Sequence, residues 1–200
     1  MGQVVLSVSM SLDGFIAGPD VSVELGMGRG GERLHDWMFN KEPEDGGSRT
    51  PASDVDATVV REVFATTGAV VMGRRTFEVG VGPWGDTPLP VPCFVLTHRE
   101  RDELVMDSGT FTFVTDGVPS ALRYAARAAG DRDVLLMGGD VAGQFLNLGL
   151  LDALHLHLVP VVMGGGRRLF GDVDMEGTEF EQTSVVQTPY VTHLRFRVQK

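Results

Sequence analysis

Val70-Val71-Met72-Gly73-Arg74-Arg75-Thr76-Phe77-Glu78 sets an apolar run, a glycine and two adjacent arginines in succession. Short apolar runs bounded by glycine read as buried strands, and the polar residues that follow open a short helix. Backbone N–H groups at a helix start, with two guanidinium forks at the same point, suit a phosphate. The pattern recurs twice. Phe94-Val95-Leu96 ends in Thr97-His98-Arg99, and Val134-Leu135-Leu136-Met137 ends in Gly138-Gly139-Asp140 before another helical stretch. Ligands of open α/β sheets sit at the carboxyl ends of the strands, so these three caps predict one anion-binding edge.

Working outward, further strands are expected at residues 3–9, 69–72, 93–97, 111–114, 133–137 and 154–159. An antiparallel pair is expected near 179–187 and 191–198, around Thr188-Pro189-Tyr190. Helical period joins Leu34 with Trp37 and Met38. It also joins Val59 or Val60 with Val63 and Phe64 behind a Ser53 or Asp54 cap. A third stripe, Leu122, Ala125, Ala126 and Ala129, stops at Gly130, and residues 141–148 stop at Gly149. Alternating helix and strand imply a mostly parallel sheet covered on both faces. The expectation is one domain over residues 1–200: a three-layer α/β/α fold with an antiparallel C-terminal strand pair. Residues 40–52 read as an inserted polar loop.

Composition narrows the function. At 42% hydrophobic and 22% charged residues the chain falls in the globular range, which excludes disorder. Its 17 basic and 27 acidic residues give a net charge of −10, a field that disfavours nucleic acid and anionic membranes. One cysteine, Cys93, excludes a disulfide framework and a cysteine zinc cluster. The opening Met1-Gly2-Gln3-Val4-Val5-Leu6 has no basic leader segment, and no apolar run reaches the ~20 residues of a membrane span. A cytoplasmic protein is expected.

Several motifs fail on context. Gly26-Met27-Gly28-Arg29-Gly30-Gly31 has the G-x-G-x-x-G spacing, but no strand leads into it, and where a second strand with its acidic ribose ligand should follow lies the polar stretch 40–52. It reads as a mobile glycine-rich loop over the pocket. Pro92-Cys93 resembles half of a deaminase zinc motif, yet position 96 is Leu. His155 and His157 alternate within 154–158 and point from one face, but no third ligand is spaced to join them, so no metal is expected. They read as a hydrogen-bonded pair. Arg167 and Arg168 read as a solvated turn first, with a contact to a phosphate on the substrate as the alternative.

Ser11-Leu12-Asp13-Gly14-Phe15-Ile16-Ala17, the Val71–Glu78 segment, and Met137-Gly138-Gly139 followed by Gln144-Phe145-Leu146 resemble dihydrofolate reductase. Leu151-Asp152, Pro160-Val161-Val162-Met163-Gly164-Gly165-Gly166 and Leu169-Phe170 are closer to the reductase domain of the riboflavin-biosynthesis deaminase-reductase. The resemblance implies NADPH. It places Ser9, Ile16 and Ala17 at the nicotinamide, and Gly73, Thr76, Met137, Gly138 and Gly139 at the diphosphate. Arg74, Arg75, Leu96, Thr97, His98 and Arg99 fall around the adenosine and its 2′-phosphate, and Asp13 and Trp37 on the substrate side.

Two departures stand out. The substrate-gripping acid of dihydrofolate reductase falls on Leu34 or His35, with Asp36 adjacent. The basic residue often found after the Gly-Gly helix start is replaced by Asp140. The expectation is an NADPH-dependent reductase acting on a C=N or C=O bond of a small heterocycle, of the 5-amino-6-(5-phosphoribosylamino)uracil reductase type. Candidate proton donors are Asp36, His157 or a bound water, and the resemblance implies a homodimer. Alternatives are a dihydrofolate or pterin reductase, and an NADPH-binding module without turnover.

Overall fold

The computed structural model describes residues 2–39, 50–171, 173 and 178–199. In chain order the first half holds β1 (Val4–Ser11), β2 (Phe15–Ala17), a 3-10 turn (Gly31–His35), α1 (Asp36–Phe39), α2 (Asp54–Thr66), β3 (Thr67–Gly73), α3 (Arg74–Trp84) and β4 (Cys93–Leu96). The second half holds β5 (Leu104–Val105), β6 (Thr110–Val114), α4 (Val118–Ala129), β7 (Asp133–Met137), α5 (Gly139–Asn147), β8 (Ala153–Val159), β9 (Arg167–Arg168), β10 (Glu179–Gln187) and β11 (Thr192–Gln199).

Nine strands form one sheet in the order β10-β11-β8-β1-β7-β3-β4-β6-β5. The strands from β8 to β6 run parallel. The sheet turns antiparallel at both edges, through β11 and β10 on one side and β5 on the other. The β5 edge was not expected. A second, two-stranded sheet pairs β2 with β9.

Side chains of a strand alternate between faces, and each face has its own cover. Ala69, Val71, Val134 and Leu136 pack under α4 and α5, against Ala121, Ala125, Val141 and Phe145. Val70, Met72, Leu135 and Val95 pack under α3, against Phe77. On that same side, Val159 and Val191 meet Leu34, Trp37 and Val59 beneath α1 and α2. Gly68 permits the close crossing of β3 and α4: a Cβ there would lie 2.7 Å from Ala129 Cα.

The structure corrects three local expectations. The helix expected around Leu34–Met38 is a 3-10 turn followed by one α-turn. Phe64 is 47% exposed and lies off the buried stripe of α2, whose first buried member is Asp56. Within the expected polar insert, residues 40–49 lie outside the described residues. Its last member, Ala52, is buried, with its N–H donating to the Trp37 carbonyl at 2.9 Å.

Among the described residues no helix is long and apolar enough to cross a membrane.

Phe145 sits at the centre of the α5 contact and is fully buried. Phe145→Ala is expected to cost about 3–5 kcal/mol, read as a lower urea midpoint at unchanged slope. A loss under about 1 kcal/mol would contradict the packing described.

Candidate functional site

The three caps read from the sequence come together because the sheet levels them. β7, β3 and β4 are neighbours, with Met72 opposite Met137 and Gly73 opposite Leu96. Adjacent strand ends are therefore about 4.8 Å apart. From two of those ends a helix departs at once. Gly73 is the N-cap of α3 and Gly138 the N-cap of α5, and neither helix has a side-chain cap. The N–H groups of each first turn are thus left for a ligand, and both helix dipoles favour an anion. Asp140 lies inside the first turn of α5.

The two helix starts touch. A Cβ on Gly73 would lie 3.4 Å from Val141 Cγ2, and one on Gly138 would collide with Thr76 Oγ1. Gly138 also has φ +98°, which disfavours any side chain. This narrow backbone cradle fits the diphosphate of a dinucleotide.

Cations surround it unevenly. Arg74 donates to both carboxylate oxygens of Glu78 at 2.6 and 2.8 Å, so its charge is compensated within α3. Among the described residues neither Arg75 nor Arg99 has an ion pair, and both are exposed beside the cradle. The loop after β4 is shaped by Thr97, buried, whose hydroxyl accepts from the Arg99 N–H at 3.1 Å. Leu96 is half-buried next to it and His98 exposed.

Toward the other end of the edge lie the residues assigned to the nicotinamide. Ile16 and Ala17 are buried in β2, and a Cβ on Gly139 would lie 2.8 Å from Ile16 Cδ1. Met137 is half-buried at the end of β7. Asp13 has other work. Its carboxylate accepts from the Ser11 hydroxyl at 2.6 Å and from the N–H groups of Met163 and Gly164 at 3.0 and 2.7 Å. The Ser11 bond first, and then the backbone bonds, hold its pKa down at about 2. Asp13 thereby fastens the segment that leads into β9.

The glycine-rich loop is knit to the chain before it. Gly18 N–H donates to the Met27 carbonyl at 2.8 Å and Arg29 N–H to Pro19 at 2.9 Å, and a Cβ on Gly28 would lie 2.8 Å from Gly18 C. Gly28 and Gly31 thus permit a close approach to Gly18, which a side chain at either position would block.

Beneath α1 and α2 runs a buried polar chain. Ser7 Oγ lies 3.0 Å from His157 Nε2, His157 Nδ1 lies 2.8 Å from His193 Nδ1, and His193 Nε2 lies 3.0 Å from Asp56 Oδ1. One neutral assignment satisfies every atom. Ser7 O–H donates to His157, His157 Nδ1–H donates to His193, and His193 Nε2–H donates to Asp56. The Asp56 carboxylate also accepts from the Ser53 hydroxyl at 2.6 Å, while the Asp56 N–H donates to Ser53 Oγ at 3.1 Å and so caps the start of α2.

Over both imidazoles lies Trp37, with ring centroids 4.7 and 5.0 Å away and its indole N–H donating to Ser9 Oγ at 3.0 Å. Trp37 is 2% exposed and His157 5%. Neither ring nitrogen of His157 is open to a ligand, and its partner is His193 rather than the expected His155, which is half-buried. Burial foremost, and the neighbouring His193 next, push the His157 pKa well below its ordinary value. Asp36, by contrast, is exposed at the start of α1.

Asp56 and His193 were missed from sequence. Asp56 stands three residues before Val59, on the apolar stripe of α2, so an acid on the buried face was visible. His193 had no such signal, because only the pairing of β8 with β11 sets it opposite His157.

Comparison with known proteins agrees with this architecture. A family model described as the RibD C-terminal domain matches residues 3–194. A Shewanella sp. PV-4 structure described under riboflavin biosynthesis superposes with TM-score 0.72 at 21% identity, covering 99% of each chain. The Thermotoga maritima diaminohydroxyphosphoribosylaminopyrimidine deaminase/5-amino-6-(5-phosphoribosylamino)uracil reductase superposes with TM-score 0.65 at 16% identity, over 98% of this chain and 56% of that one. Enterococcus faecalis dihydrofolate reductase, solved with NADP(H) and RAB-propyl, gives TM-score 0.59 at 16% identity over 98% of this chain and 97% of that one. The fold is therefore of the dihydrofolate-reductase type.

The buried imidazoles make stability depend on pH. The folded His157 pKa lies below the ordinary 6.5, so the unfolded chain binds a proton that the folded chain refuses. Its contribution is complete above pH 6.5 and is lost as pH falls from there toward the folded value. His155 and His35, also depressed chiefly by burial, act in the same direction. The melting temperature is expected to fall between pH 7 and 5, and less steeply in His157→Gln. An equal slope in the two proteins would contradict the assignment.

Proposed function

We propose that this chain, which belongs to the RibD C-terminal domain family, is an NADPH-dependent reductase. It passes hydride to a C=N or C=O bond of a small heterocycle of the riboflavin-pathway type, a 5-amino-6-(5-phosphoribosylamino)uracil or a close analogue. One observation carries the reading: two uncapped helix starts meet at Gly73 and Gly138 beside the exposed Arg75 and Arg99.

Gly73, Thr76, Met137, Gly138 and Gly139 form the diphosphate cradle. Arg75 and Arg99, with Leu96, Thr97 and His98, take the adenosine and its 2′-phosphate, while Arg74 stays with Glu78. Ser9, Ile16 and Ala17 wall the nicotinamide end. When bound, NADPH supplies the hydride, and the protein supplies alignment and a proton path. The exposed Asp36 stands where a proton can enter from water. His157 acts through its neighbours: with His193 it supports Trp37, and Trp37 is tied to Ser9 at the nicotinamide wall. Asp13 holds the segment over that wall. The protein is a cytoplasmic homodimer whose ligands are small molecules, with no part for nucleic acid or membrane.

Dihydrofolate is a poor substrate on this account. Leu34 is buried, His35 is half-buried, and the acid Asp56 is closed off between His193 and Ser53. The burial of Trp37 favours a second reading, an NADPH-binding module without turnover.

NADPH is expected to bind at least about tenfold more tightly than NADH at low salt, because charge-assisted bonds to a phosphate are the strong class. Arg75→Ala with Arg99→Ala should remove that preference, and Arg74→Ala should largely keep it. Equal dissociation constants for the two nucleotides would overturn the NADPH assignment. Oxidation of NADPH with the aminouracil ribosyl phosphate, and little with dihydrofolate, supports the reductase. Binding without oxidation across a pterin and carbonyl panel supports the second reading.

A further inference from the structure

Asp140 is an anomaly for a diphosphate site. It lies in the first turn of α5, exposed, one residue beyond Gly139. A carboxylate there suits the helix dipole but sets a negative charge beside a cradle meant for an anion. Its partner comes from a distant part of the chain. Arg167 of β9 forms an ion pair with Asp140, and β9 is held in place by β2, with Ala17 opposite Arg167 and Phe15 opposite Arg168. Arg168 adds to the hold, its guanidinium 4.4 Å from the Phe15 ring centroid and donating to the Asp13 carbonyl at 3.1 Å.

The strand therefore brings a cation to the cradle. A Cβ on Gly139 would lie 3.9 Å from Arg167 Nε, 3.7 Å from the Arg168 carbonyl oxygen and 2.8 Å from Ile16 Cδ1. Arg167 and Asp140 also line a cleft of about 260 Å³ with Gly139, Gln144 and Asn147.

We propose that Arg167 is the cation that grips the cofactor diphosphate, and that Asp140 is its resting partner, competing with the nucleotide for one guanidinium. The proposal rests on the NADPH reading above. A guanidinium has donors enough to touch two anions, but the carboxylate and the diphosphate repel each other at such range. Binding thus shifts Arg167 from Asp140 toward the phosphates, and Asp140 lowers the affinity that Arg167 provides.

Nucleotide titration of the full chain at low salt, followed by NADPH fluorescence and calorimetry, tests this. Arg167→Gln should weaken NADPH and NADH by the same factor, about tenfold, the size of a lost charge-assisted bond. The ratio between the two nucleotides should stay fixed, since the diphosphate is common to both. Arg167→Lys should recover part of the loss. Asp140→Asn should tighten both nucleotides several-fold.

The sign of that last effect decides. If the pair only clamps β9 to α5, Asp140→Asn weakens binding as Arg167→Gln does, both lower the melting temperature alike, and the proposal is overturned. Unchanged affinity in Arg167→Gln overturns it too, while leaving the NADPH reading intact. Failure of the unsubstituted protein to bind either nucleotide overturns that reading and this proposal together.

Discussion

The approach of two helix starts across neighbouring strands is the constraint on which the rest depends. α3 and α5 begin side by side, and the approach requires glycine at 138, where a Cβ would collide with Thr76 Oγ1. The cradle attracts an anion before any side chain contributes, because two sets of unshared N–H groups and two dipoles already point at it. Everything beneath serves to hold those starts level. Val70, Val71 and Met72 are fully buried, and the register of β7, β3 and β4 sets their ends in line. A slip of one residue in β3 would exchange its two faces and separate the helix starts.

The opposite flank of the sheet is built on another principle. Where α4 and α5 bury an apolar surface, α1 and α2 cover serines and imidazoles from β1, β8 and β11. A half-satisfied polar set would destabilise such a core, but here each atom has a partner in a single directional order. That order leaves little freedom to Trp37, which rests on two imidazoles and one hydroxyl. Ser9, which accepts the Trp37 indole N–H, is therefore set in place by the buried side chains behind it. The two ends of the edge are thus built differently, with uncapped helix N–H groups at one and buried side chains fixing geometry at the other.

Most of the architecture was legible in the sequence because its signals are local. Apolar runs bounded by Gly, Pro, Asp or Thr mark the parallel strands, and the caps after 72, 96 and 137 fall on one edge of the sheet. What escaped depends on contacts distant in sequence. The His157–His193 bond exists only through the pairing of β8 with β11, and Arg167 reaches Gly139 only because β9 pairs with β2. Asp56 was missed for a different reason. Its charge suggested solvent, and its place on the apolar stripe of α2 was overlooked. Phe64 was assigned to that stripe on hydrophobicity alone, yet it faces solvent. The first helix went astray because Leu34, Trp37 and Met38 keep helical spacing even when a 3-10 turn and one α-turn divide them.

A crystal structure of the protein soaked with NADPH tests the central claim most directly, since it locates the diphosphate. The account predicts its oxygens within hydrogen-bond distance of the first-turn N–H groups of α3 and α5, between Thr76 and Gly139. Diphosphate density at the Gly26–Gly31 loop, or anywhere away from the two helix starts, would contradict it.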